Sequence, residues 1–248
     1  MLGTFVLEDA EALPEAGRLF EKGSEGEYLF ATQLVRIKET YGFDGWLLNI
    51  ETVFPPPFRP SELQAWIGEL KAASVEVLWY DAVTVLNQLH WQNGLTLLNA
   101  PFMHASDGLF TNYWWREPSI RATKRMADAM GRARDVWMGV DCYGRGTIGD
   151  GGFAVPVALE VVRSHGLPAA LFAPGWTYEN FDGKHFHQMD RKFWIGDGTP
   201  QAVGVAAHVS SKPSGTAAFF YTSFNRGFGS GFWLRGKVSF PPPTASDI

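Results

Sequence analysis

The sequence predicts an α/β fold of parallel βα units arranged as a barrel, and three observations predict it. Apolar runs of strand length alternate with helix-period segments at a spacing of roughly 30 residues, that of βαβ units. The runs are nearly continuous in apolar residues, as strands are when both faces of a sheet are covered. Polar and aromatic residues gather at their C-terminal ends: Asn49 and Glu51, Tyr80 and Asp81, Asn112 and Trp114, Asp141, Trp176 and Tyr178. Barrel enzymes carry their chemistry there. A doubly wound sheet is the rival architecture, but such residues on every strand end favour a ring of loops around one mouth.

The elements follow in order. Leu2–Val6 reads as a strand, and Glu27–Thr40 as a helix whose stripe is Phe30, Leu34, Ile37 and Tyr41. Gly45–Glu51 is the next strand. A Pro-rich loop from Phe54 to Pro60 leads into a helix over Ser61–Ala73, with Ser61 as its N-cap. Val75–Val83 is a strand and Leu86–Asn99 a shorter helical or irregular stretch. Gly108–Trp114 is a strand, Ser119–Arg134 a helix, and Val136–Cys142 a strand. Pro156–His165 is a helix stopped by Gly166, and Ala169–Ala173 a strand ended by Pro174 and Gly175. Six βα units precede residue 195, whereas a closed barrel needs eight. From Gly196 onward the texture turns to Gly, Ser, Thr and aromatics, especially over Thr216–Trp233, which points to β structure. The expected division is therefore 1–195 for a partial barrel and 196–248 for a linker and the beginning of a β-rich region.

Composition narrows the function classes. The chain has 248 residues, 46% of them apolar, and a net charge of −5, which excludes a disordered or collagen-like chain. A pI near 5.7 argues against nucleic-acid binding. No apolar run reaches the roughly 18 residues of a membrane span. Met1–Glu11 lacks the pattern of a signal peptide, and the one cysteine, Cys142, cannot form an internal disulfide. A cytoplasmic protein is expected. Aromatic residues make up 15% of the chain, Trp accounting for 10; set on strand-end loops, they suit the apolar faces of sugar rings.

The most informative segment is Tyr41–Glu51. Residues two apart in a strand share a face, so Leu47, Asn49 and Glu51 point one way and Trp46, Leu48 and Ile50 the other. A carboxylate and an amide then stand about 7 Å apart at the strand's C-terminal end. A partly desolvated carboxyl has a raised pKa, which suits it to protonate a leaving group. A solvated strand-end carboxylate is the alternative.

Here the residues resemble a known family. Phe43-Asp-Gly-Trp-Leu-Leu-Asn-Ile-Glu51 is similar to the chitinase-type motif with its last acidic pairing changed to Asn-x-Glu, and looks like glycoside hydrolase family 85. Leu2–Phe5, Leu78–Asp81, Asp107–Tyr113, Val140–Asp141 and Leu171–Trp176 fall in that family's order and approximate spacing, and Thr222–Gly229 resembles the segment leading into its β-rich domain. The resemblance implies a (β/α)8 TIM-barrel fold, with Met1 at the start of barrel strand three. The first two βα units and most of the β-rich region after Lys237 are then expected to be absent from a chain truncated at both ends.

It also implies endo-β-N-acetylglucosaminidase activity on N-glycans by substrate-assisted hydrolysis, with transfer to an acceptor sugar as a variant. On this pattern the N-acetyl group of the sugar attacks its own anomeric carbon, an exception to the two-carboxylate scheme. Glu51 would be general acid and then base, Asn49 would orient the acetamido group and Tyr80 would contact it. Trp91 and Trp115 match positions near the acceptor subsites, and Trp176 and Tyr178 match motif positions. Asn112, Asp81 and Asp141 would bind sugar hydroxyls or hold the site in place. A glycan-binding remnant without catalysis and a chitinase-like hydrolase are the alternative functions. The expected partner is an N-glycan or glycopeptide, with no nucleic acid, membrane, cofactor or metal.

Other signals have plainer readings. Gly144–Gly149 satisfies G-x-G-x-x-G, but the last glycine does not open a helix, so a mobile active-site loop is expected in place of a nucleotide site. His185 and His187 have a spacing compatible with a metal, but no H-E-x-x-H or Cys/His set supports one and solvated loop histidines are expected. Arg121, Lys124, Arg125, Arg132 and Arg134 read as a solvated helix face, and Cys142 as buried and inert.

Overall fold

Strand β1 (Leu2–Glu8) is followed by helices α1 (Ala12–Arg18) and α2 (Leu29–Tyr41), then β2 (Gly45–Glu51), α3 (Pro60–Ala72) and β3 (Glu76–Tyr80). After a long loop come α4 (Ala100–Ala105), β4 (Gly108–Phe110), α5 (Glu117–Ala129), β5 (Val136–Asp141), α6 (Val155–Ser164) and β6 (Ala169–Phe172). Helices α7 (Trp176–Asn180) and α8 (Phe186–Ile195) follow. These elements belong to a computed structural model, which describes residues 1–8, 12–199 and 202–209, and the backbone of 232–234 and 237–240. The chain divides into two units, Met1–Val209 and Ser210–Ile248. In the second, strands β7 (Phe232–Leu234) and β8 (Lys237–Phe240) pair antiparallel. Apart from Phe232 and Trp233, the expected β stretch Thr216–Trp233 lies outside the described residues, as does the motif Thr222–Gly229.

In the first unit the six strands form one parallel sheet in the order β1-β2-β3-β4-β5-β6. The order never reverses. Since βαβ crossovers are right-handed, an unreversed series puts every helix on one face of the sheet. Two contacts mark that face: the Trp46 indole N–H of β2 donates to Leu34 O of α2 (3.2 Å), and Trp79 of β3 packs on Phe102 of α4 (4.7 Å). A doubly wound sheet reverses its order and covers both faces. This sheet is the wall of a barrel-type fold.

The helix-facing side chains make the core. Leu48, Ile50, Val77, Trp79, Leu109, Met138 and Val140 are fully buried, with Leu63, Trp66, Ile67 and Leu70 of α3 among their partners. Strand β1 shows the alternation most openly: Thr4, Val6 and Glu8 are exposed, and Phe5 and Leu7 pack on the core. At Gly45 a Cβ would lie 1.8 Å from Glu76 O, so only glycine permits β2 and β3 to approach at that point.

Several boundaries differ from the sequence reading, each for a local reason. Arg59, not Ser61, is the N-cap of α3, because Pro60 occupies the first turn, where its fixed φ and missing N–H do no harm. Strand β3 stops at Tyr80 because Asp81 turns inward to bond a loop, and β4 stops at Phe110 before the chain bends to the cavity. Helix α8 was legible in Phe186, Met189 and Phe193, a helical stripe of which both phenylalanines are buried. Arg132 is not a solvated residue: its guanidinium donates to Met103 O, Ser106 O and Asp107 O and clasps the α4–β4 turn. Lys124 and Arg121 do lie on an outer face, paired with Asp128 and Glu117.

Replacing Gly45 with alanine should lower unfolding free energy by roughly 1–3 kcal/mol or more, because the new methyl group meets backbone that cannot yield. A fall in the urea midpoint of the variant checks this, and an unchanged midpoint contradicts the close approach.

Candidate active site

The face of the sheet opposite the helices opens into a cavity of about 380 Å³ at the strands' C-terminal ends. Thr4 and Glu8 of β1, Leu47, Asn49 and Glu51 of β2, and Tyr80 of β3 form its floor and one side. Phe110, Asn112, Tyr113 and Trp114, with Trp91, Leu171 and Phe172, complete it. Asn49 and Glu51 thus share one face and one cavity. The i, i+2 spacing requires the first, and the burial of Trp46, Leu48 and Ile50 on the other side enforces it.

Glu51 is half-buried, and burial holds its carboxyl above the ordinary glutamate range. The neighbouring Asn49 amide opposes the shift, the negative charge of Glu8 adds to it, and the Trp91 side chain opposes it. Glu8 arrives through the parallel ladder, in which Val6 pairs with Asn49 and Glu8 with Glu51. Its carboxylate accepts from Asn49 Nδ2 at 2.9 Å, while Asn49 Oδ1 is buried with no partner among the described residues.

Across the cavity the Tyr80 hydroxyl donates to Asn112 Oδ1 (3.2 Å), and Asn112 Nδ2 donates to Asn93 Oδ1 (2.9 Å), which also accepts from Trp114 N (2.9 Å). Burial first, and then the charge of Glu51, push the Tyr80 hydroxyl well above its usual pKa, so it stays protonated. Its proton is committed to Asn112, which leaves its oxygen as an acceptor for a ligand.

Two buried carboxylates organise the loops above. Asp81 accepts from Gln92 N, Asn93 N and Asn99 Nδ2 (3.1, 2.7 and 2.9 Å), shaping the loop that carries Trp91. Asp141 accepts from Tyr143 N and Arg145 N (3.1 and 3.0 Å) and from Arg145 Nε (2.8 Å). The glycine-rich loop after β5 is therefore fastened at its base, where the sequence suggested a mobile one. It in turn positions Trp114, whose indole N–H donates to Arg145 O (2.6 Å). A Cβ on Gly146, which has φ +81°, would lie 2.5 Å from the Trp114 ring. Trp91 and Trp114 stand 6.4 Å apart and form the aromatic wall of the mouth.

The residues expected to bind substrate divide accordingly. Trp91 and Asn112 line the cavity beside Glu51, Asn49 and Tyr80. Trp115 does not: it is fully buried, its indole N–H donating to Gly139 O (2.7 Å), and Trp114, 54% exposed, takes the open position. Asp141 is closed off by its own loop. Trp176 is half-buried against Phe153 and Phe181, and Tyr178 is an exposed residue edge-on to Phe186; neither lines the cavity. Glu8 and Tyr113 are polar lining residues that the sequence reading did not name as site residues, and Trp114, which it placed at a strand end, was given no part in binding.

Away from the cavity, Cys142 is fully buried and its thiol pKa is pushed up to about 12, chiefly by burial. His185 pairs with Asp182 (2.7 Å), and no group of three or more His, Cys, Asp or Glu suited to a metal occurs among the described residues. No helix there is long and apolar enough to cross a membrane.

Comparison with known proteins accords with this geometry. The glycoside hydrolase domain of Endo-D from Streptococcus pneumoniae R6 superposes with a TM-score of 0.69 over 82% of this chain and 36% of that one, at 21% identity. That likeness shows the expected TIM-barrel type of fold. The chain is 37% identical over 246 residues to the cytosolic endo-beta-N-acetylglucosaminidase of Gallus gallus, covering 96% of this chain and 32% of that protein. It is 35% identical over 243 residues to cytosolic endo-beta-N-acetylglucosaminidase 2 of Arabidopsis thaliana (96% and 33%). With the cytosolic endo-beta-N-acetylglucosaminidase of Homo sapiens the identity is 40% over 209 residues (78% and 26%). The chain spans about a third of the length of these relatives. A sequence profile matches residues 1–232, nearly the whole chain, and on that match the chain belongs to glycosyl hydrolase family 85.

Proposed function

We propose that this chain carries the catalytic centre of an endo-β-N-acetylglucosaminidase, acting on the GlcNAc-β1,4-GlcNAc core bond of N-glycans by substrate-assisted, retaining hydrolysis. One observation carries the reading: a half-buried carboxyl of raised pKa, Glu51, stands on the same strand face as an amide, Asn49, in the wall of a cavity bordered by tryptophans. The names of the relatives supply the substrate class, and their description as cytosolic suggests the same compartment here.

The acetamido carbonyl oxygen of the sugar attacks C1 as the C1–O bond to the leaving sugar breaks, and Glu51 delivers its proton to the departing oxygen. The positive charge spreads over the oxazolinium ring, whose N–H donates to Asn49 Oδ1, an acceptor without a partner among the described residues. The Tyr80 hydroxyl, its proton given to Asn112, borders the same group. Glu51, now a carboxylate, takes a proton from water as the water oxygen attacks C1 and reopens the ring. Two inversions at C1 give net retention. An acceptor hydroxyl in place of water gives transfer. Trp91 and Trp114 offer stacking surfaces for the sugars on either side of the bond.

Glu51→Gln should reduce kcat/KM on a high-mannose glycopeptide by about 10²–10⁴-fold, the contribution of a positioned general acid. The released sugar should first appear as the β-anomer by proton NMR; full activity in the variant, or a first-formed α-anomer, contradicts the mechanism. Glycan binding without cleavage by the unaltered chain would favour the binding-remnant reading. Because the acid must be protonated, kcat/KM should fall as pH rises through the raised pKa of Glu51, so its alkaline limb should lie above the ordinary glutamate value of 4.5.

The two adjacent tryptophans should separate cleanly. Trp114→Ala should weaken glycopeptide binding by roughly five- to tenfold, about 1 kcal/mol, with little change in melting temperature. Trp115→Ala should cost roughly 3–5 kcal/mol of stability. The reverse pattern in calorimetry and binding titrations would overturn the assignment.

A further inference from the structure

We propose that Glu8 is a positioning residue for Asn49, setting which end of its amide faces the bound sugar. The proposal rests on the reading of Asn49 and Glu51 given above and extends it to a residue on a different strand. Glu8 shares the open face of β1 with Thr4 and Val6, and the ladder brings it alongside Glu51. The two ends of an asparagine amide have nearly the same shape, so packing cannot choose between them. A carboxylate can, because it only accepts. Glu8 Oε1 takes a hydrogen bond from Asn49 Nδ2 at 2.9 Å, so the nitrogen end is turned toward that acid. The oxygen end, Oδ1, is left buried without a partner among the described residues, so an acetamido N–H that reaches it on sugar binding finds a free acceptor. Were the amide reversed, Oδ1 would face a carboxylate and the acetamido N–H would meet another N–H.

Glu8 is not placed as a second catalytic carboxylate. It lies on the strand next to Glu51, about 4.8 Å away across the ladder, on the same wall of the cavity. The nucleophile and acid of a two-carboxylate site stand on either side of the scissile bond. Its charge has a second effect. The groups that act on Glu51 are Asn49 on its own strand, Glu8 from β1 and Trp91 from the loop after β3, while the Tyr80 and Tyr113 hydroxyls face it and feel its charge. Among these described residues only Glu8 carries a formal charge, and it favours the protonated acid.

The test compares the unaltered chain with Glu8→Gln and Glu8→Leu. Two signals are read without substrate: the Asn49 side-chain ¹H–¹⁵N pair, and the pH titration of the Glu51 carboxyl carbon, assigned with Glu51→Gln. Glu8→Leu should move the Asn49 amide signals and lower kcat on a glycopeptide by roughly tenfold or more, with KM changed much less. Glu8→Gln keeps an acceptor oxygen and should recover part of that loss. Without the charge, its Glu51 titration midpoint and the alkaline limb of kcat/KM should both move to lower pH. Unmoved Asn49 signals in Glu8→Leu, or an unmoved Glu51 midpoint in Glu8→Gln, would overturn the proposal. These readouts need no turnover. If the unaltered chain fails to cleave glycopeptide, or Glu51→Gln cleaves as well as it does, the hydrolase reading fails while the part given to Glu8 is still decided by the two spectra.

Discussion

The site depends on the alternation of one strand. Leu48 and Ile50 of β2 are sealed into the helix layer with Trp46 beside them, so the chain has no freedom to choose where Leu47, Asn49 and Glu51 point. A slip of one residue would push a carboxylate among leucines and open a tryptophan to water, so the hydrophobic cost of the error guards the chemistry. Neighbouring strands inherit the same alignment through an unbroken parallel register from β1 to β3. Their ends therefore present Glu8, Glu51 and Tyr80 to one space.

Above those ends the protein uses one device twice. A carboxylate at the end of β3, Asp81, and another at the end of β5, Asp141, are each withdrawn from solvent and saturated by main-chain N–H groups of the loop that follows. Carboxyl oxygens in such a place are tolerable only when they are fully partnered, and that need turns each into an anchor for its loop. One loop brings Trp91 to the cavity. The other offers the Arg145 carbonyl on which Trp114 rests.

Much of this was legible in the sequence. The six strands, the shared face of Asn49 and Glu51, and the family all follow from local pattern and motif. Pairing between strands was less so. Glu8 lies only two residues past the expected end of its strand, and nothing local says that a parallel ladder sets it opposite Glu51. Trp114 and Trp115 are chemically identical neighbours. Only the Gly139 carbonyl waiting in the core tells them apart. Asp141 was open to two readings, a ligand for sugar or a residue that holds the site, because an exposed aspartate and a loop anchor have the same letter; the guanidinium that claims it for the second lies four residues on.

The tryptophan wall and the acid stand on different kinds of structure. Glu51 and Asn49 belong to a strand gripped by the core, whereas Trp91 and Trp114 ride on loops attached at their roots by a few hydrogen bonds. On the function proposed above, changes along those loops reshape which sugars the mouth admits while Glu51 keeps its setting, so selectivity in this architecture is free to drift without dragging reactivity along.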